Sequence, residues 1–146
     1  MLGTLAVLLA ALIAGLAPSA GPVSLGPTKT VAMSRSTLND RAERHPEYAK
    51  RLGHRMTRDF GYRGTRQWTC LRHLWRLESS WRVHADNQYS RAYGIPQANP
   101  GSKMSTAGDH WRRNAVTQIR WGLRYVHGRY QRPCGAMRHK QRYGWY

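Results

Sequence analysis

Apolar residues in this chain recur at helical spacing along three stretches, and no substantial stretch alternates with period two, so a mainly helical domain is predicted. In the first stretch, Tyr48, Leu52, Met56 and Phe60 follow at steps of four after Pro46, a residue suited to a first helical turn, and Gly61 and Gly64 stop the pattern. The second is expected to run from Thr65 or Gln67 to Trp81. In it Leu71, Leu74, Trp75 and Glu78 stand at i, i+3, i+4 and i+7, so an apolar stripe ends in a carboxylate, and Trp68 and Leu77 are expected mostly in the core. The third opens at Asn114, a good helix cap, and carries Val116, Ile119, Leu123 and Val126 along its apolar stripe. A short helix is expected within Lys103 to His110 and another in the tail from Cys134 to Tyr146.

After Trp81 the density of Asn, Ser, Gly and Pro changes the picture to turns, and Tyr93-Gly94-Ile95-Pro96-Gln97 is expected to bring the chain back across Glu78. A carboxylate at the rim of an apolar face loses hydration, which favours the protonated form that a general acid needs. Capping, or a salt bridge to a neighbouring Arg, is the plainer role for a lone Glu on an amphipathic helix. Beside the core stripe of the third helix lie Gln118, Gly122 and Tyr125, at i, i+4 and i+7. The small Gly122 between two hydrogen-bonding side chains would let a ligand approach closely, and packing against another helix explains it equally well.

At 146 residues the chain has room for one small domain. Met1 to Ala17 carries no charged side chain and leads into small residues and prolines, the pattern of a secretory signal, with a membrane anchor as the alternative. The expected division is therefore a signal or anchor over 1–20, a flexible linker over 21–44 and the folded domain over 45–146. An exported chain meets an oxidising environment, and no zinc-type CxxC or HExxH spacing occurs, so Cys70 and Cys134 are expected to pair. Such a bridge would tie the start of the second helix to the end of the third and is worth roughly 4 kcal/mol in the chain-entropy model.

The formal charge of +17, from 24 basic against 7 acidic side chains, predicts salt-sensitive attraction to a polyanion. Arg-aromatic pairs such as Arg120-Trp121 and Arg124-Tyr125 supply the mixture that nucleic-acid binding uses, but for an exported protein the anionic polymers of a cell wall are the more accessible partner. The histidines show no ligand spacing, so no metal or other cofactor is expected.

Several segments then fall into a familiar order: Glu78-Ser79-Ser80-Trp81, then Ala85, Asn87 and Ser90, then Ala92-Tyr93-Gly94-Ile95-Pro96-Gln97, then Gln118-Ile119 with Gly122 and Tyr125. Together they resemble the lytic transglycosylase domain of the lysozyme-like superfamily. Trp68 to Leu71 and Pro133-Cys134 are similar to its small secreted variety, and the resemblance covers Tyr48 to Tyr146. The chain departs from the family pattern in Ile95-Pro96, where Leu-Met is commoner, in Gln118, where Asn is usual, in a Glu78-to-Gln97 spacing one residue longer, and in lacking an Ala-Tyr-Asn-Ala-Gly segment.

The resemblance implies a small all-α, lysozyme-like domain with one disulfide, secreted or wall-bound and working as a monomer. Its substrate would be the glycan strands of peptidoglycan, cut at the β-1,4 bond between N-acetylmuramic acid and N-acetylglucosamine. The catalytic acid falls on Glu78. Ser79, Ser90, Tyr93, Gln97, Gln118 and Tyr125 would line the substrate, with Tyr93 or an exposed Trp as a flat apolar surface. After Asp59 only Glu78, Asp86 and Asp109 remain as acids, which suits a one-carboxylate route. Glu78 protonates the leaving oxygen, then as base takes the proton of the sugar's 6-hydroxyl, which closes a 1,6-anhydro ring. Two alternatives stand beside this: a hydrolytic muramidase in which Asp86 or Asp109 positions water, and a non-catalytic basic protein that binds wall polymer or nucleic acid.

Overall fold

The computed structural model describes residues 33–146. The expected signal or anchor over 1–20, and the linker as far as residue 32, lie outside it. Among the described residues the chain is all-helical with one disulfide, and no helix is long and apolar enough to cross a membrane. Five α-helices follow in order, α1 (Arg35–Ala42), α2 (Pro46–Asp59), α3 (Thr65–Ser79), α4 (Ala115–Tyr130) and α5 (Pro133–Tyr143), with a 3-10 helix at Gly101–Ala107 between α3 and α4.

α1 corrects the expectation of a flexible segment up to residue 44. Ser34 starts the helix by accepting a hydrogen bond from the Thr37 amide at 3.1 Å, and Leu38 and Ala42, one turn apart, bury a narrow stripe while α1 packs on α2. α2 begins at Pro46 as expected and buries Ala49, Leu52 and Met56. Gly53 has a packing reason, because a Cβ there would meet the Trp81 ring at 2.5 Å.

α3 buries Leu71, Leu74 and Trp75 completely, but Leu77 is 47% exposed and does not belong to the core. The helix ends at Ser79, two residues before the expected end. Ser80 and Trp81 both take left-handed backbone angles, φ 53° and 63°, and reverse the chain sharply. The reversal returns the Trp81 ring to the interior beside Trp75, where its Nε1 donates to Arg72 O at 3.0 Å. α4 is capped by Asn114, whose side chain accepts from the Thr117 amide at 3.2 Å, and it buries Ile119, Leu123 and Val126, with Val116 half-buried. The 3-10 helix replaces the short helix expected over Lys103 to His110.

The Cys70–Cys134 bridge joins the second turn of α3 to the first turn of α5, not to the end of α4 as expected. From it the two helices run side by side, and Lys140 near the end of α5 meets Glu78 near the end of α3.

Candidate active site

Glu78, in the last turn of α3, is held at the edge of the core by the Ser80–Trp81 reversal. Its side chain is 13% exposed, and no other carboxylate of the chain is so enclosed. It lines an open cleft of about 440 Å³ together with Arg82, Asp86, Asn87, Tyr89 and Gln97. Lys140 of α5 places its Nζ 2.8 Å from Glu78 Oε1. The two are an ion pair by distance, but the alignment is not that of a hydrogen bond, and Oε1 has no hydrogen-bond donor. The buried oxygen Oε1 is therefore the one neutralised by Lys140.

Behind Glu78 stands an aromatic wall. The Tyr146 hydroxyl accepts from Trp75 Nε1 at 2.8 Å and donates to Pro96 O at 2.7 Å, which ties the tail to α3 and to the returning turn. Burial pushes the Tyr146 phenol well above its ordinary range, and the negative charge of Glu78 adds to the effect. Tyr125 meets Tyr146 edge-on at 5.8 Å and stacks on Trp121 at 5.2 Å.

The turn over residues 93–97 does return beside Glu78, and buried hydrogen bonds fix its path. Ser79 Oγ donates to Ile95 O at 2.7 Å and accepts from the Trp81 amide at 3.1 Å. Gln118 Oε1 accepts from the Ile95 amide at 2.9 Å, while its Nε2 donates to Val83 O and Trp111 O. Ser79 and Gln118 were both expected against substrate. Both are instead buried with their hydrogen bonds made internally, so they brace the turn from behind. Glycine is required at 94, where φ is 75° and a Cβ would meet the Gln118 amide at 2.5 Å.

Of the other expected residues, Gln97 joins Glu78 in the cleft. Its Nε2 is used on Ala85 O and Gly94 O, both at 3.1 Å, which leaves its carbonyl oxygen for a ligand. Ser90 closes the 87–90 turn, its amide bonded to Asn87. Tyr93 does not line the cleft with Glu78. Its hydroxyl donates to Arg112 O at 3.1 Å and lies 3.1 Å from His84 Nδ1, and its ring packs edge-on to Trp111. Burial raises the Tyr93 pKa, with a smaller push from Asp86. Where Tyr93 or an exposed Trp is expected as a flat surface, the aromatic ring in the cleft is that of Tyr89, fully exposed. Sequence reasoning missed Tyr89 in the cleft and Lys140, the partner of Glu78.

Comparison with family models, with curated proteins and with solved structures found no match to this chain.

Proposed function

We propose that this chain is a lytic transglycosylase of the lysozyme-like kind, secreted or wall-bound, acting on peptidoglycan glycan strands with Glu78 as its acid and base. The observation that carries the reading is the enclosure of Glu78 at the floor of an open cleft that also holds Gln97 and an exposed aromatic, Tyr89. A flat ring beside polar groups in an open cleft suits a sugar. In this reading Glu78 protonates the glycosidic oxygen. The Lys140 ammonium beside it stabilises the carboxylate, the form that removes the proton from the 6-hydroxyl, and opposes the protonated form that donates in the first step. The Gln97 carbonyl oxygen accepts from a sugar hydroxyl or N-acetyl N–H, while Ser79 and Gln118 act as positioning residues for the turn.

A second reading has its own support, because Asp86 lines the same cleft as Glu78 and Asp109 does not. A hydrolytic muramidase would use Asp86 to position water. Digestion of purified sacculi by the chain lacking residues 1–20, with products separated by mass, decides the matter. Anhydromuramic ends are expected, reducing ends would favour hydrolysis, and Glu78→Gln should lower the rate at least ~100-fold. Lysis that persists in Glu78→Gln would remove both enzyme readings and leave a basic binding protein.

A further inference from the structure

A larger cavity, about 830 Å³, lies at the opposite end of α3 from Glu78, where α2 ends and α3 begins. Thirteen residues of helix separate Thr65 from Glu78, so the two sites are about 20 Å apart along the helix axis. Arg35, Arg55, Arg58 and Arg63 line the cavity with His54, against one carboxylate, Asp59, which is paired to Arg35. Arg55 donates to Met33 O. Arg58 and Arg63 make no ion pair among the described residues. The residues before Met33 contain no Asp or Glu that could supply one.

Like charges gathered round one concavity repel each other, and an anion relieves the repulsion. The amino end of α3 opens on the same space. Gly64 gives it no capping side chain, and its first turn has no acidic residue, so the orphan amides add to the positive field. With Arg35 neutralised by Asp59, about three guanidinium charges remain. That exceeds what one phosphate group of charge about −1.5 to −2 would balance, and it matches a run of singly charged diesters. The lining contains no Trp, Tyr or Phe, the residues on which nucleobases stack.

We infer that this arginine-lined cavity binds consecutive phosphodiesters of a polymer without bases, of the polyol-phosphate type, independently of the chemistry at Glu78. Planar guanidinium forks match phosphate oxygens two at a time, which is the recognition Arg rather than Lys provides.

The test is binding of the full chain to poly(glycerol phosphate), by calorimetry across a salt series. Arg58→Gln with Arg63→Gln should weaken binding about tenfold or more and lower the salt slope by about 2. Arg44→Gln with Arg138→Gln removes equal charge from exposed residues outside the lining and should weaken it less than about threefold. Unchanged circular dichroism and unfolding midpoint in both double variants exclude misfolding. Equal losses in the two variants would reduce the effect to overall charge and overturn the site, as would no binding by the unaltered chain. A single-stranded oligonucleotide of matched charge that bound more tightly through Arg58 and Arg63 would overturn the assignment of ligand class.

Discussion

Gly122 and Gly128 lie on the same helix and should answer alanine in opposite directions. A Cβ at 122 would sit 2.5 Å from Trp75 Cζ2 and 3.0 Å from Pro96 Cβ. Neither neighbour can yield. Trp75 is fully buried and held by its bond to Tyr146, and the Pro96 carbonyl accepts from the same hydroxyl. Overpacking a tight core costs about 1–3 kcal/mol, and so close an approach to a fixed ring belongs at the upper end. Alanine returns about 1 kcal/mol of helix propensity, so Gly122→Ala should be about 2 kcal/mol less stable. At Gly128 nothing lies within 4 Å, and Gly128→Ala should gain the propensity of about 0.5–1 kcal/mol. Urea unfolding with the disulfide intact, followed by tryptophan fluorescence, should give unchanged slopes and midpoints on either side of the parent. The thermal midpoint of Gly122→Ala should fall by about 10 °C. If both variants were stabilised, the packing of α4 on Trp75 described above would be wrong.

Tyr146→Phe leaves Trp75 Nε1 without its acceptor and Pro96 O without its donor, and should cost about 1–3 kcal/mol at neutral pH. Because folding raises the Tyr146 pKa, the native state keeps a proton that the unfolded chain releases near pH ~10. The Tyr146 contribution is therefore full below about pH 10 and is lost as pH rises beyond it. The phenylalanine variant should lose less between about pH 8 and about pH 10.5 in paired urea titrations, and parallel losses would contradict the assignment. Replacing Cys70 and Cys134 together by Ser opens a loop of 64 residues and should lower stability by about 4 kcal/mol, read from the urea midpoint; a loss under about 1 kcal/mol would mean that packing alone holds α3 against α5.

What the sequence made legible follows the strength of each stripe. α2 and α4 carry an apolar residue on every turn of one face, and both appear where the periodicity places them. α1 has only Leu38 and Ala42 to bury among polar residues, too little for a periodic signal, and its stability comes from packing on α2. The end of α3 was hidden because Ser80 and Trp81 hold left-handed angles that usually advertise themselves as Gly or Asn. Glu78 and Gln97 were visible as motif residues. The same motif logic misassigned Ser79 and Gln118, since a polar side chain that braces a turn and one that faces a ligand look alike without burial.

Lys140 could have been found. Glu78 lies eight residues past Cys70, and Lys140 six past Cys134, so two helices leaving one disulfide together reach about 12 Å and about 9 Å along their axes. That places the two charges at similar height. Tyr89 carried a weaker signal, an aromatic in a polar turn with no apolar neighbour to pack on.

The cleft wall at residues 87–90 is built as a replaceable part. Asn87 carries its fastenings: its amide reaches Ala92 O at 3.0 Å, and its side-chain oxygen receives the Tyr89 and Ser90 amides. Gln88 and Tyr89 project outward and give the core nothing. Under the proposed function, ligand preference would be rewritten at positions 88 and 89 without disturbing Glu78, provided that Asn87 is kept.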